Sequence, residues 1–470
     1  MKNISFIKKV TFILIIFFVL LILFLKVNSA NTFSHIDSWA NYPLSYVIEN
    51  NLNWNENAQY PGMGQRLFYY FIVNIKLITG INYFYITKYF FIIIDFFLIL
   101  FIYLFFKKIL PKNRINIFFL CIFILFINSY VFRRFIVTLR ENYALIMLMG
   151  YIYMIYSFNF TKKKVSSIFS GAIFISHPIA SIIFLMYNLF LLIILTIKKE
   201  WDNIKQLFLV GLGTFIVGIN GFIGYIKSLF WQYNNALTEV VIKNDNDFSY
   251  FMIDFKKINY VFFILISIAF IFILKNLKII KNNNSLNYLI YPLFLLLSLL
   301  YIIGLIPSSG LYQDRIILYL GVFGILFIGY TLSKLSIVKN SFVFMVLITY
   351  FIITFTKLID FGIWVPFENT NFNNYGIVNN AKNAIIYGFD RNVLYQINPM
   401  IKIDDELSDT FFNLQNDIEI EKFLVDNKFI LFISDFTFNQ RLINNYTANY
   451  LKTNNKLTLL DDKNYIYYNY

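Results

Sequence analysis

Long apolar runs dominate this chain, and polar or cationic residues punctuate them at intervals close to the thickness of a bilayer. Lys2, Lys8 and Lys9 precede the run 10–25, which has the form of a retained first anchor with its N-terminus inside, because cleavage after Ala30 would put Asn28 where a small residue is wanted. Runs at 84–106, 115–131, 142–159, 204–221, 259–275, 286–304, 313–332 and 341–358 predict further membrane-spanning helices. Residues 165–197 lie between Lys162-Lys163-Lys164 and Lys198-Lys199, so two short crossings fit them best. The turn is expected near His177-Pro178, where proline blocks the helical ladder. The apolar stretch 67–79 is too short to span and is expected to lie as a helix in the outer interface, with Asn74 and Lys76 reaching toward water.

From about residue 360 the pattern turns polar and mixed. Residues 417–427 read as a helix with acids in its first turn and 429–434 as a buried strand; 456–460 and 465–468 read as a hairpin around Asp461-Asp462-Lys463-Asn464. The expected fold is therefore an α-helical polytopic membrane protein. About eleven transmembrane helices occupy 1–359, with a first outer loop at 26–83, and a small extracytoplasmic α/β domain occupies 360–470.

Composition agrees. A chain of 470 residues that is 59% hydrophobic and only 14% charged has more apolar surface than a water-soluble core can hide. The net charge of +14 would fit nucleic-acid binding, but its distribution argues against that partner. Residues 360–470 hold 14 acids and 9 bases, net −5, which leaves +19 on residues 1–359, much of it in short clusters between apolar runs. Across about eleven crossings most dense lysine clusters then fall on one side, as a topology signal requires; Lys256-Lys257 is the exception. This arrangement puts the stretch Phe33 to Pro43, the Arg133-Arg134 turn, His177, residues 222–258 and 305–315 and the tail on the outer face of a multi-pass protein of the cell membrane. Cys121 is the lone cysteine, and His35 and His177 are the only histidines. A disulfide framework and a thiolate or histidine-rich metal centre are excluded.

Candidate chemistry starts in Phe33-Ser34-His35-Ile36-Asp37-Ser38-Trp39, just beyond the first apolar run. Asp37 there acts either as a general base on an incoming hydroxyl, near low-dielectric surroundings, or as the cap of a short interfacial helix beginning at Ser38. His35 either orients it or binds phosphate, or is a hydrogen-bonded interfacial histidine. Eight arginines stand against 32 lysines, and five of them (Arg66, Arg133, Arg134, Arg140 and Arg315) map to the outer face or membrane mouth, where topology disfavours basic residues. A guanidinium fork suits phosphate oxygens, which points to a lipid phosphate or diphosphate; the competing reading is that each arginine snorkels to anionic headgroups. Arg315 follows the turn Pro307-Ser308-Ser309-Gly310, and His177 sits at an outer turn as a ligand contact or a satisfied buried histidine. Asp95 falls mid-span and should face protein or water.

With this layout the chain resembles the C-type membrane glycosyltransferases, the superfamily of protein O-mannosyltransferases, aminoarabinose transferases and oligosaccharyltransferases. The resemblance is carried by the acid directly after the first span (His35-Ile36-Asp37-Ser38-Trp39), Tyr60-Pro61 followed by 67–79, the segment from Gly171 to His177-Pro178, Arg315 and the tail after the last span. It implies Asp37 as the catalytic carboxylate, with Arg315 and Arg133 or Arg134 holding a polyprenyl-phosphate leaving group. The substrates implied are a polyprenyl-phosphate-linked sugar and a glycan, lipid or protein acceptor. No cofactor is implied: the first loop has no Asp-x-Asp pair, so a divalent cation is not indicated, and the tail has no WWD motif of the oligosaccharyltransferase kind. The nearest rival is a polysaccharide polymerase or ligase, which a soluble tail fits less well. A transporter or flippase of lipid-linked sugars would favour repeat symmetry and more mid-membrane charge than Asp95 alone.

Overall fold

The structure, a computed structural model, describes residues 67–81, 83–110, 114–127, 140–158, 161–239, 292–300, 310–334, 383–386, 402–403, 405–434, 444–454, 458–459 and 464–469, with isolated positions elsewhere. These residues are mostly helical and fall into two compact units, one built on helices between Phe91 and Lys334 and one containing residues 69–90 and the C-terminal sheet.

The helical unit contains α3 (Phe91–Ile109), α4 (Arg114–Ile127), α5 (Arg140–Phe158), α6 (Lys163–Ser176), α7 (Pro178–Ile197), α8 (Trp201–Glu239) and α9 (Gly310–Lys334), following α1 (Leu67–Thr79) and α2 (Tyr83–Tyr89) in the chain. Three stretches, Tyr85–Ile109, Ile179–Ile197 and Trp201–Ile219, are long and apolar enough to cross a membrane. Their faces divide as such helices should. On α3, Leu98, Ile99, Ile102 and Phe105 are buried, while Ile93, Phe96 and Phe97 are exposed. On α7, Tyr187, Leu191 and Leu195 are buried, whereas Leu185, Leu189 and Ile193 are exposed. An apolar face left open on a helix already packed on its other side is a face suited to lipid.

The chain breaks at His177, as the His177-Pro178 pair predicts: α6 ends at Ser176, His177 is extended (φ −158°, ψ 131°), and Pro178 opens α7. The direction of the helices follows from which residues meet. Ser167 lies against Gly213, Gly171 against Val217 and Phe174 against Gly221. The two series of numbers rise together, so α6 and α8 run parallel and α7 returns between them. The second reversal is a Schellman turn, with Glu200 N–H donating to Leu195 O at 2.9 Å and Lys199 N–H donating to Thr196 O at 3.0 Å. Lys199 takes the left-handed position (φ 57°) that glycine usually fills.

One element runs past its expected end. Residues 222–239, expected as the start of an outer loop, continue α8 without interruption. With 39 residues α8 is about 58 Å long, well beyond the ~30 Å of a bilayer's hydrocarbon. Polar residues such as Lys227, Gln232 and Asn234 end the hydropathy run but not the helix. The regions 1–66, 240–291, 301–309 and 335–382, which contain the expected first, eighth and eleventh spans, lie outside the described residues apart from isolated positions.

The C-terminal sheet has the order β2-β1-β3-β5-β4, from β1 (Asn383–Ile386), β2 (Lys402–Ile403), β3 (Phe429–Ser434), β4 (Thr458–Leu459) and β5 (Asn464–Asn469). β1 is parallel to β2 and β3, and β5 is antiparallel to β3 and β4. β3 is central and its residues 429–433 are all buried, as a continuous apolar strand requires. Phe429, Leu431 and Ile433 point alternately with Ile430 and Phe432, and pack with Phe411, Ile420, Leu424, Ala448 and Leu451 from α10 (Asp405–Phe412), α11 (Asp417–Asp426) and α12 (Tyr446–Thr453). Asn416 and Asn445 cap α11 and α12 through bonds from Ile418 N–H and Ala448 N–H, at 2.8 and 3.0 Å.

Candidate functional site

Of the six residues the sequence singles out for chemistry, Asp37, His35, Arg133 and Arg134 lie outside the described residues. The structure therefore neither joins nor separates them. Arg315 falls in the second turn of α9, whose first residue is Gly310 rather than the expected 313, so the turn-to-helix junction falls directly on that glycine. His177 is described in full and is buried, with 2% of its surface exposed.

The sequence places His177 by local logic. Its N–H closes α6 by donating to Ile173 O at 3.1 Å, and its carbonyl opens α7 by accepting from Ser181 N–H at 3.1 Å and Ser181 Oγ–H at 3.0 Å. Ser176 Oγ–H donates to Ala172 O at 2.5 Å. The hydroxyls beside the break are thus absorbed by backbone carbonyls.

Below it, α6 and α8 meet along a seam of small residues. Ser170 Oγ and Thr214 Oγ1 share a hydrogen bond of 2.5 Å, Thr214 also donates to Val210 O at 2.7 Å, and Ser167 Oγ–H reaches Val210 O at 3.2 Å. A Cβ on Gly171 would meet Val217 Cβ at 2.5 Å, and one on Gly221 would meet Phe174 and Ile175 backbone atoms. Backbones this close require small residues, and hydroxyls bonding across the contact hold the pair without exposing polar groups. The seam gives His177 a rigid base. α5 joins the assembly through Tyr151, which is fully buried, meets Phe184 edge to face with ring centres 4.8 Å apart and donates its hydroxyl to Asn188 Oδ1.

Among the described residues two buried acids stand elsewhere in the helical unit. Glu141, in the first turn of α5, is 2% exposed and is followed by the equally buried Asn142. An acid is favoured at a helix N-terminus, and the polar triplet Arg140-Glu141-Asn142 ahead of an apolar run was the only sequence signal of this cluster. Asp95 is fully buried in α3, facing protein, and neither carboxyl oxygen has a hydrogen-bond partner among the described residues. Among those residues no group of three or more His, Cys, Asp or Glu side chains is arranged to hold a metal ion.

Fold and site together define a mostly helical protein with helices capable of crossing a membrane, and with a buried histidine at the turn between two of its helices. No protein-family model matches the chain, and no curated protein is similar to it.

Proposed function

We propose that the protein is a membrane glycosyltransferase that moves a sugar from a polyprenyl-phosphate carrier to an acceptor on the outer face of the cell membrane. In this reading about eleven crossings bring the first loop, His177 and Arg315 to that face, and the tail from residue 360 onward is an extracytoplasmic α/β domain. The observation that carries the reading is the placement of Asp37 and the uncommon arginines at outer ends of apolar runs, in a chain that otherwise uses lysine.

In the proposed reaction the acceptor hydroxyl oxygen attacks the anomeric carbon of the donor. The new C–O bond forms as the bond from that carbon to the phosphate oxygen breaks. The hydroxyl proton passes to the Asp37 carboxylate, and polyprenyl phosphate leaves as an anion held by Arg315 with Arg133 or Arg134. In this reading His177, at the break between α6 and α7, contributes to binding of the sugar or its phosphate. Trp39, Trp54, Trp231 and Trp364 supply aromatic faces on the same outer side.

The test is reconstitution of the full chain in liposomes with a labelled polyprenyl-phosphate sugar and a mixture of glycan, lipid and peptide acceptors. Consumption of donor with appearance of free polyprenyl phosphate supports the proposal. Movement of intact lipid-linked sugar across the bilayer without consumption would instead establish a flippase.

A further inference from the structure

We propose that the open face at the start of α8 seats an anionic phospholipid, with its headgroup on Lys199 and Lys205 and its acyl chains along Phe208, Leu212 and Phe215. The inference rests on the membrane placement of the chain and on none of the chemistry proposed for Asp37.

Two candidate spans, Ile179–Ile197 and Trp201–Ile219, fix the level of the turn between them. The 20 residues of α7 are about 30 Å long, the thickness of a bilayer's hydrocarbon, so residues 198–200 fall at its boundary with the headgroups. Ile197 and Trp201, on either side of the turn, are both exposed, and an indole at that level is an interfacial anchor.

From the turn onward one face of α8 stays open. Trp201, Lys205, Phe208, Leu212, Phe215 and Ile219 follow one another at intervals of four and three residues, and all six are exposed. That spacing keeps them within about 40° of a single line along the helix. Lys205 lies about 6 Å inside the level of Trp201, a distance that a lysine stem covers by snorkelling. The line thus carries a cation at its headgroup end and apolar side chains beyond it, the polarity of a lipid with a negative head.

The charge at the turn is available to such a head. Lys199 is exposed and holds a left-handed position (φ 57°) that glycine fills more easily, so its ammonium is presented there at a cost to the backbone. Among the described residues neither Lys199 nor Lys205 forms an ion pair. Glu200 is engaged by Asn203, whose Nδ2–H donates to its Oε2 at 2.7 Å. Asp202 is exposed but sits about 100° round the helix from Trp201, off the open line. Lys162 and Lys164, exposed at the start of α6, stand at the same end because α6 and α8 run parallel. An acidic protein would match the lysines but not the apolar line below them, whereas a phospholipid matches both.

Trp201 is a built-in reporter. The full chain is reconstituted in phosphatidylcholine liposomes holding a fixed minor fraction of lipid brominated near the ester end of its chains, as phosphatidylglycerol in one set and phosphatidylcholine in the other. In each background the fluorescence lost on Trp201→Phe isolates its share from that of the other tryptophans. Brominated phosphatidylglycerol should quench this share about twofold more than brominated phosphatidylcholine, and the excess should fall in high salt. It should vanish when Lys199→Gln and Lys205→Gln are combined and survive when both lysines become arginine. Equal quenching by the two lipids, or an excess that persists without both cations, overturns the proposal. Quenching by neither lipid overturns it too, because water or protein would then cover Trp201. No sugar donor is present, so the lipid seat and the enzymatic reading fail independently.

Discussion

Three glycines on one helix of this protein should respond to the same substitution in three different ways. At Gly221 of α8 an added Cβ would meet Phe174 O and C and Ile175 N, the last at 2.7 Å. Carbon needs roughly 3.5 Å from such atoms, so the overlap is near 1 Å and involves backbone that cannot rotate away. Gly221→Ala therefore pushes α6 and α8 apart. Overpacking costs about 1–3 kcal/mol, and losing the Ser170–Thr214 bond adds about 0.5–1.5 kcal/mol. Better helix propensity returns about 0.5–1 kcal/mol, which leaves a net loss of about 0.5–4 kcal/mol. At Gly213 the clash is with the Ser167 side chain, with its Cβ at 2.8 Å, and a rotation about χ1 relieves part of it. Gly213→Ala should cost less, mainly the Ser167–Val210 bond of 3.2 Å. Gly211 is exposed with nothing within 4 Å of its would-be Cβ, so Gly211→Ala should be neutral or slightly stabilising. Unfolding in mixed micelles titrated with dodecyl sulfate measures the order. Equal stability of the 211 and 221 alanine variants would refute the parallel α6–α8 seam.

Asp95→Leu should raise the unfolding midpoint, because it removes a fully buried carboxyl that has no hydrogen-bond partner among the described residues, worth about 1–3 kcal/mol; a lowered midpoint would show that the carboxyl holds something in place. Lys199→Gly should stabilise the α7–α8 turn by up to about 1 kcal/mol, since a β-carbon is strained at φ 57°, and the same unfolding assay reads it. In α11, Lys456 and Tyr450 donate to Glu421 and hold its carboxyl below the ordinary value of 4.5. The folded state thus favours the ionised form, so the contribution is present at neutral pH and lost as pH falls below about 4.5. Hydrogen exchange in α11 and α12 should rise less steeply with acid in Glu421→Gln than in the unsubstituted protein.

Much of the helical layout was legible because the distance across a bilayer imposes a period on the sequence that survives any detail of packing. The break at His177-Pro178 was legible for a different reason, the missing N–H of Pro178. Residues 222–239 were misjudged because hydropathy reports lipid contact while helix formation follows backbone hydrogen bonds, and the two part company where α8 outlasts its apolar run. β1 and β2, of four and two residues, are too short for strand alternation to register. The seam was hidden for want of a partner: Gly171, Gly213 and Gly221 have meaning only once α6 and α8 lie side by side. His177 was visible as a candidate by its scarcity, but its burial comes from tertiary packing.

Sugar transfer by Asp37→Asn measures the central claim most directly. The substitution keeps shape and removes the base, so the turnover of a labelled polyprenyl-phosphate sugar should fall by about 10²–10⁴-fold while donor binding, read by retention of the labelled lipid, stays as it is in the unsubstituted protein. Transfer by the asparagine variant at the unsubstituted rate would contradict the account.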